Sequence, residues 1–530
     1  MVEPGPRQIL CRVEAVGLCF SDLKLLKQFS GHVRKGEIVS GIERAVLGEI
    51  ASYVPGDGAT VPGHEAVVRI EAAGSQVEGF EVGGRYLVQT DYRWLPTAGS
   101  NAAFGYNFEG ALQEYVLMDE RVITSPEGES LLIAVGEKLS ASEVALVEPF
   151  ACVEDAYACE ERRTLATDGK MLVAADAAPR SDALVELFAR YGRPGQITWL
   201  SEHSPPEGVK ATKAADLSGL EDAGYEDVVY FGCDADKVEK LFAKAAVRGL
   251  FNIVLCGGKV ARKVVTPVGR VHYEGLRIIG TSGAEPADAM RRIPETGEIR
   301  CGDRVLVAGA GGPMGVMHVI RSICQGIEGI SVFATDVDEA RLAGLRRIAE
   351  PLAQGKGVEF AAYNPERDAI GEPLDYTVVM VPIPSLVAEA VSRAADRGVI
   401  NIFAGIPVSV SAELDIDVYI DKRLYFIGTS GSVLADMKSV LARVESGRLD
   451  TNVCVGAVGG LEGAVEGMRA VENRVIAGKI IVYPACKGLG LVPLEKLAAE
   501  VPSVSALMGD GLWNKRAEEE LLRIYGRSQG

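Results

Sequence analysis

No stretch of this 530-residue chain reaches the run of about 20 apolar residues that a membrane-crossing helix needs. Its opening, MVEPGPRQIL, lacks a basic region followed by an apolar one, so no secretory leader is expected. Positive charge is in the minority. The 55 Lys and Arg face 73 Asp and Glu, and the net charge of -18 argues against a nucleic-acid or anionic-membrane surface. None of the ten cysteines forms a CxxC pair, and their scatter suits the reduced thiols of a cytoplasmic protein better than a disulfide frame. Low-complexity linkers are absent as well. What is there is ordinary for a folded chain: 48% hydrophobic and 24% charged residues, at a length that predicts two to four domains.

The first part of the chain is β-rich and punctuated by glycine, as in ILCRVEAVG, EAVVRIEAAG, GGRYLVQTD and GALQEYVLMD, which predicts a barrel or sandwich. A strand–helix–strand rhythm follows, the pattern of parallel α/β layers. The end, with VPLEKLAAEV and WNKRAEEELLRIYG, reads as helices. Four segments result: 1–155, completed by 453–490; 156–300; 301–452; and a helical tail, 491–530. The two middle segments repeat each other. VLVAGAGGPMGVMHVIRS aligns without gaps to MLVAADAAPRSDALVELF, and the offset between Gly309 and Ala175 also separates Asp336 from Glu202. RGVINIF then matches RGLFNIV, and RLYFIGTSG matches GLRIIGTSG, at an offset about 14 residues larger. Ordered blocks at a slowly drifting offset predict tandem copies of one domain.

In the second copy the strand leads into Gly309-Ala310-Gly311-Gly312-Pro313-Met314-Gly315. Glycine permits a tight turn and lets a pyrophosphate approach the following helix without a Cβ in the way. Asp336 follows at the end of the next strand, where a carboxylate would hold the ribose hydroxyls and repel a 2′-phosphate, favouring NAD over NADP. Asp336 could instead cap the helix that begins near EARLAGL. In the first copy Ala175, Ala177 and Ser181 stand where the second has glycine, and Asp176 and Arg180 enter the turn. Methyl groups and a like charge would exclude a phosphate, so this copy reads as degenerate and kept for its shape; the alternative is that it binds another ligand.

Three stretches carry metal-ligating chemistry: GLCFSDLKLL with Cys19, Ser21 and Asp22; VPGHEAVV with His64 and Glu65; and ALVEPFACVEDAY with Glu148. A thiolate, an imidazole and carboxylates suit a catalytic zinc that keeps one position open. Taken singly, Cys19 could be a core cysteine, His64 a satisfied buried histidine and Glu148 a helix cap. In VEAVGLCFSD, VPGHEAVVRIEAAGSQVEGFEVGGRYLV, FGYNFEGALQEYV, ALVEPFACV, GDRVLVAGAGGPMG, FATDVDEARL and GKIIVYP, the chain resembles the zinc-dependent medium-chain alcohol dehydrogenases, nearest the sorbitol dehydrogenase and L-sorbose-1-phosphate reductase-like branch.

The resemblance implies an α/β plus β fold: a GroES-like β-rich catalytic domain with two tandem Rossmann-type doubly wound parallel sheets, an extra copy being atypical of the family. It implies one catalytic zinc held by Cys19, His64 and Glu65, with Glu148 as fourth ligand or bonded to the zinc water. Asp22 would fix the tautomer of His64, and Ser21 would start a proton relay. NAD would lie against Gly309, Gly311, Gly312, Met314, Gly315 and Asp336, with Arg341 near the adenosine and Val381 and Ala404 along the nicotinamide. The four-cysteine structural-zinc loop of many relatives is absent from QTDYRWLPTAGSNAAFGYN, so a second metal is not expected. The stretch KQFSGHVRKGEIVSGIERAVLGEIASYV between Cys19 and His64 is additional and is expected to cover the active site. Relatives also carry a strand pair before the PGPRQIL position; either it is lost here or the start is misassigned. The expected activity is NAD(H)-linked interconversion of a secondary alcohol and ketone on a polyol or sugar, phosphorylated or not, with zinc as Lewis acid. Two other readings stay open: an NAD(H)-binding sensor or scaffold without catalysis, and an NADPH-dependent carbonyl reductase of the same fold. Edge-to-edge pairing of the two sibling sheets into an internal pseudo-dimer is expected, with GLFNIVLCGG and GVINIFAGIP as contact strands; a homo-oligomer is the alternative.

Overall fold

The structure, a computed structural model, describes residues 3–180, 182–371, 373–429 and 431–526. Two compact units emerge. One comprises Met1–Glu154, Gly312–Met317 and Gly431–Gly530; the other Asp155–Gly311 and His318–Ser430. Among the described residues no helix is long and apolar enough to cross a membrane.

The first unit is built on an eight-stranded sheet. Its long strand Gln8–Leu18 (QILCRVEAVGL) is largely buried, as its run of apolar residues requires. It pairs antiparallel with Glu65–Ala73 on one side and Lys479–Val482 on the other, and Tyr115–Asp119 joins it as a branch. The register sets Gly17 opposite both Glu65 and Ile481. Cys19, one residue past the strand, therefore emerges beside Glu65, and a strand from near the end of the chain lies alongside. The QTDYRWLPTAGSNAAFGYN stretch forms a small antiparallel pair, Asp91–Pro96 with Asn101–Ala103.

The C-terminal helices, which the sequence sets apart as a tail, belong to this same unit. On the helix Lys515–Tyr525, Glu518 is buried and its carboxylate accepts from the Ser142 backbone N–H (2.9 Å), the Ser142 hydroxyl (2.8 Å) and Tyr483 Oη (2.8 Å), as well as from the Ala141 N–H. An acid there satisfies the unpaired N–H groups at the start of the helix Ala141–Ala145. That helix leads directly into Val147–Ala158, whose first turn carries Glu148.

The second unit holds two six-stranded parallel sheets. Numbered along the chain within each copy, both have the strand order 3-2-1-4-5-6, the doubly wound order with a crevice between strands 1 and 4. A small antiparallel pair, Val264–Thr266 with Ala412–Leu414, links the copies. The sixth strands, Arg277–Thr281 and Tyr425–Ile427, lie at the junction. Tyr419 Oη donates to Ile278 O (2.8 Å), Arg277 Nη2 donates to Gly428 O (3.3 Å), and Arg277 Nε and Tyr425 Oη both bond Glu161 Oε2 (2.6 and 2.7 Å). One apolar core runs through both copies, including Phe251, Val271 and Ile278 from the first and Ile402, Ile420 and Phe426 from the second. Each such side chain, fully buried, contributes about 1.5–3 kcal/mol. The contact strands named from the sequence need correction. GLFNIVLCGG and GVINIFAGIP lie in the fifth strands, which pair on both sides within their own sheets.

Candidate active site

Asp22 is the organising residue of the metal-ligating cluster. It lies in the first turn of the helix Phe20–Gln28, fully buried, and its carboxylate accepts from the Cys19 N–H (3.0 Å) and the Gly63 N–H (3.0 Å) and bonds His64 Nδ1 (2.8 Å). Burial alone would raise its pKa, but the charge of His64 and these hydrogen bonds hold it below the usual carboxylate range. The same bond leaves His64 Nε2 as the nitrogen available to a metal. Cys19, His64 and Glu65 then present donor atoms that all lie within 4.8 Å of one another.

Glu65 is fully buried. One oxygen pairs with Lys479 Nζ, itself buried, and Oε2 has no hydrogen-bond partner. Gly17 makes room for it, since a Cβ there would lie 2.1 Å from Oε2. A buried carboxylate oxygen without a donor is unfavourable by a few kcal/mol, and here it converges with a sulfur and an imidazole. The donor set fits a divalent ion of the zinc type. Glu148 is buried nearby but outside this tight group. Burial pushes its carboxyl up to about 7, with His64 drawing it down and Glu65 and Asp91 pushing it further up. Ser21 lies in the first turn of the same helix as Asp22.

Sequence reasoning missed three neighbours of this cluster. Lys479 opens the strand KIIV, and only the register of the sheet brings it to Glu65; a lone cation ahead of an apolar run was the available signal. The Tyr106 ring lies 5.6 Å from the His64 ring, and the guanidinium of Arg34 lies 5.2 Å from that same Tyr106 ring. Nothing in their spacing announces either.

The glycine turn of the second copy sits at the carboxyl end of the strand Arg304–Ala308. Gly309 has φ +84°, and a Cβ there would lie 2.2 Å from Val381 Cγ2. The Gly311 N–H donates to Asp336 Oδ2 (2.9 Å), and a Cβ on Gly311 would meet Asp336 and Arg341 at 2.7 Å. Val381 and Ala404 follow strands 4 and 5 at the same end of the sheet, with the Ala404 N–H bonded to Val379 O (2.8 Å). The helix cap considered for Asp336 falls to Asp338, which accepts from the N–H groups of Ala340 and Arg341. The helix Pro313–Cys324, carrying Met314 and Gly315, starts within the turn.

In the first copy the aligned helix starts later, at Ala183. The N–H groups of Asp176 and Ala177 turn to Phe231 O, whereas those of Gly309 and Ala310 turn to Thr335 O. Asp176 is bonded by Tyr230 Oη (2.6 Å) and paired with Lys237. Its charge is therefore compensated, which corrects the expected electrostatic repulsion. What the turn lacks is the helix start and the bare backbone that a pyrophosphate needs. Ser181 lies outside the described residues.

Comparison with known proteins gives the following likenesses. Residues 5–127 match the Alcohol dehydrogenase GroES-like domain. The uncharacterized protein YggP of Escherichia coli (strain K12) is 27% identical over 252 residues, 43% of this chain and 58% of that protein. L-sorbose 1-phosphate reductase of Klebsiella pneumoniae is 28% identical over 233 residues, 42% of this chain and 56% of that protein. The chain thus spans less than two thirds of these relatives. Among solved structures, 2R,3R-butanediol dehydrogenase from Bacillus subtilis shares the fold, with a TM-score of 0.50 and 15% identity, over 91% of this chain and 94% of that one. Together these likenesses show a GroES-like domain at residues 5–127 and a fold shared with a solved dehydrogenase.

Proposed function

We propose that the chain is a zinc- and NAD(H)-dependent oxidoreductase that interconverts a secondary alcohol of a polyol or sugar with its ketone. The observation that supports this most is the convergence of Cys19, His64 and Glu65 around a buried carboxylate oxygen that lacks a partner. Zinc bound there supplies Lewis-acid polarisation of the substrate oxygen. The chain's own residues do the rest. Asp22 holds the His64 ring in orientation through Nδ1. Lys479 pairs with one oxygen of Glu65 and fixes the carboxylate in place. Glu148 stands by as a further ligand or as partner of a bound water. Ser21 accepts the hydroxyl proton and passes it outward. Gly309, Gly311, Gly312, Met314 and Gly315 bear the pyrophosphate of the dinucleotide, and Asp336 bonds the ribose hydroxyls. Arg341 flanks the adenosine, while Val381 and Ala404 flank the nicotinamide, whose hydride chemistry belongs to the cofactor. A polyol or sugar substrate is favoured by the likeness to the Klebsiella sugar-phosphate reductase. A cytoplasmic setting suits ten scattered cysteines with no CxxC pair.

The test is NAD reduction by the purified chain across sorbitol, other polyols, threonine and sugar phosphates, alongside Cys19→Ser. Turnover on at least one polyol or sugar, lost by at least about 1000-fold in the variant, is the expected result. A variant that keeps both its zinc and its rate would overturn the proposal.

A further inference from the structure

The first of the two sibling sheets differs from the second at another place, the turns that follow its strands 4 and 5. These strands, Tyr225–Phe231 and Ala245–Val254, run parallel, and their last matched pair is Phe231 with Val254. Cys233 and Cys256 each stand two residues past that pair. The register therefore sets two thiols level with each other at the carboxyl edge of the sheet, where neighbouring strands are about 4.8 Å apart. A disulfide needs Cα atoms about 4.4–6.8 Å apart. The side chains keep this proximity. Cys233 lies over the end of the turn that holds Cys256, so that a Cβ on Gly258 would meet Cys233 Sγ at 2.8 Å. Cys256 Sγ donates to Val254 O (3.6 Å), the same oxygen that accepts the N–H of Gly232 (2.9 Å), the neighbour of Cys233. Both thiols are half-buried, so neither is sealed from a small reagent.

The turn Leu255–Gly258 has a form that rarely holds a cysteine. The Gly258 N–H donates to Leu255 O (2.8 Å), and the two central residues, Cys256 and Gly257, have φ +52° and +82°. These are the angles of a type I′ turn, whose first central position normally takes Gly, Asn or Asp. The Cβ of Cys256 makes the left-handed backbone unfavourable, and strain of this kind gathers at functional positions. Two bonds to the loop after strand 6 hold it there: the Cys256 N–H donates to Gly283 O (2.9 Å) and the Gly257 N–H to Ser282 O (2.7 Å). In the second copy the same two turns carry Val381 and Ala404 and no cysteine. We infer that Cys233 and Cys256 are a thiol–disulfide redox site, in which the two thiols close reversibly into an intramolecular disulfide. The oxidant is a small-molecule disulfide, R–S–S–R. One thiolate attacks it, forms a mixed disulfide and releases R–SH. The other thiolate attacks the mixed disulfide, closes the Cys233–Cys256 bond and releases the second R–SH. The two cysteines lose two electrons and two protons, and both end in the two R–SH. A transient bond of this type is the form that disulfides take in a reducing compartment. Closed, it ties the turn ahead of the helix Ala235–Phe242 to strand 5. That helix carries Lys237, the partner of Asp176. The crevice of the first copy thus has an open, dithiol state and a stapled one.

The experiment equilibrates the purified full-length chain in mixtures of reduced and oxidised glutathione, quenches with acid and alkylation, and maps the cysteines by peptide mass spectrometry. The expected result is one cross-linked peptide pair, Cys233 with Cys256, that dithiothreitol reverses. Its ratio of disulfide to dithiol should change tenfold for each tenfold change in [GSH]²/[GSSG], as a two-electron couple requires. In Cys233→Ser and in Cys256→Ser the cross-link should vanish, and the remaining cysteine of the pair should instead take up one glutathione. Three outcomes would overturn the site: mixed glutathione disulfides on both wild-type cysteines with no cross-link, both thiols still reduced in the most oxidising mixture, or cross-links shared indiscriminately with the other cysteines. If a variant fails to fold, the wild-type map alone decides between these outcomes. The readout uses no turnover, so it stands apart from the proposed reaction and its zinc.

Discussion

Glu65 shows how one side chain can be claimed from two directions. Lys479 balances half of its carboxylate and the other half has no donor, so the residue is both anchored and unsatisfied. Taken singly, each residue type has an ordinary structural reading, but Cys19, His64 and Glu65 were legible in the sequence because the stretches GLCFSD and VPGHEAVV resemble a known family. Lys479, Tyr106 and Arg34 were not, because their importance comes from sheet register and from a loop, neither of which leaves a period in the sequence. A residue remote from the metal ligands gives a separate test. His318 is fully buried; Nδ1 bonds Tyr157 Oη (2.8 Å), Nε2 has no hydrogen-bond partner, and the Phe403 ring lies 4.4 Å away. Burial, reinforced by Arg321, lowers its pKa to about 3. The folded state therefore binds fewer protons than the unfolded state, whose histidine titrates at about 6.5. Stability present above that pH is lost as pH falls toward 3, by up to about 1.4 kcal/mol per pH unit. Denaturant melts should show His318→Gln with a shallower loss of stability than wild type between about pH 6 and pH 4; equal slopes would contradict this account of His318.

At the scale of elements, the two copies share strand order but differ where a phosphate would sit. The second begins its helix in a glycine turn; the first begins later and turns its N–H groups toward a different strand. The repeat and the loss of glycine were plain in the sequence, because both are patterns of residue type. The junction was misread by one strand. The strings RGLFNIV and RGVINIF are the more apolar, and apolar strands are central ones; the shorter sixth strands Arg277–Thr281 and Tyr425–Ile427 form the edges. The two strands do not pair their backbones, but Tyr419, Arg277 and Glu161 tie these edges together within one chain, which makes them poor templates for pairing between chains. Sedimentation with cross-linking should accordingly find no dimer joined through Tyr425–Ile427. Cross-links from that strand to a second copy would contradict the internal pairing. The C-terminal helix, whose role the sequence left open, supplies Glu518 to the helix that precedes Glu148.

For the whole molecule, the β-rich unit carries the metal-ligating cluster, and the α/β unit carries Gly309, Gly311 and Asp336 on one of two sibling sheets. Fold class was readable because alternation, strand–helix rhythm and repetition are properties of long segments. The substrate was not, because it depends on a few side chains that the fold alone brings together. The central claim is a single zinc on Cys19, His64 and Glu65 on which polyol oxidation depends. Metal analysis of the purified chain, coupled to NAD reduction before and after chelation, measures it directly. The account predicts one zinc per chain, loss of activity with its removal, and recovery of both when zinc alone is returned. A fully active chain without stoichiometric metal would contradict it.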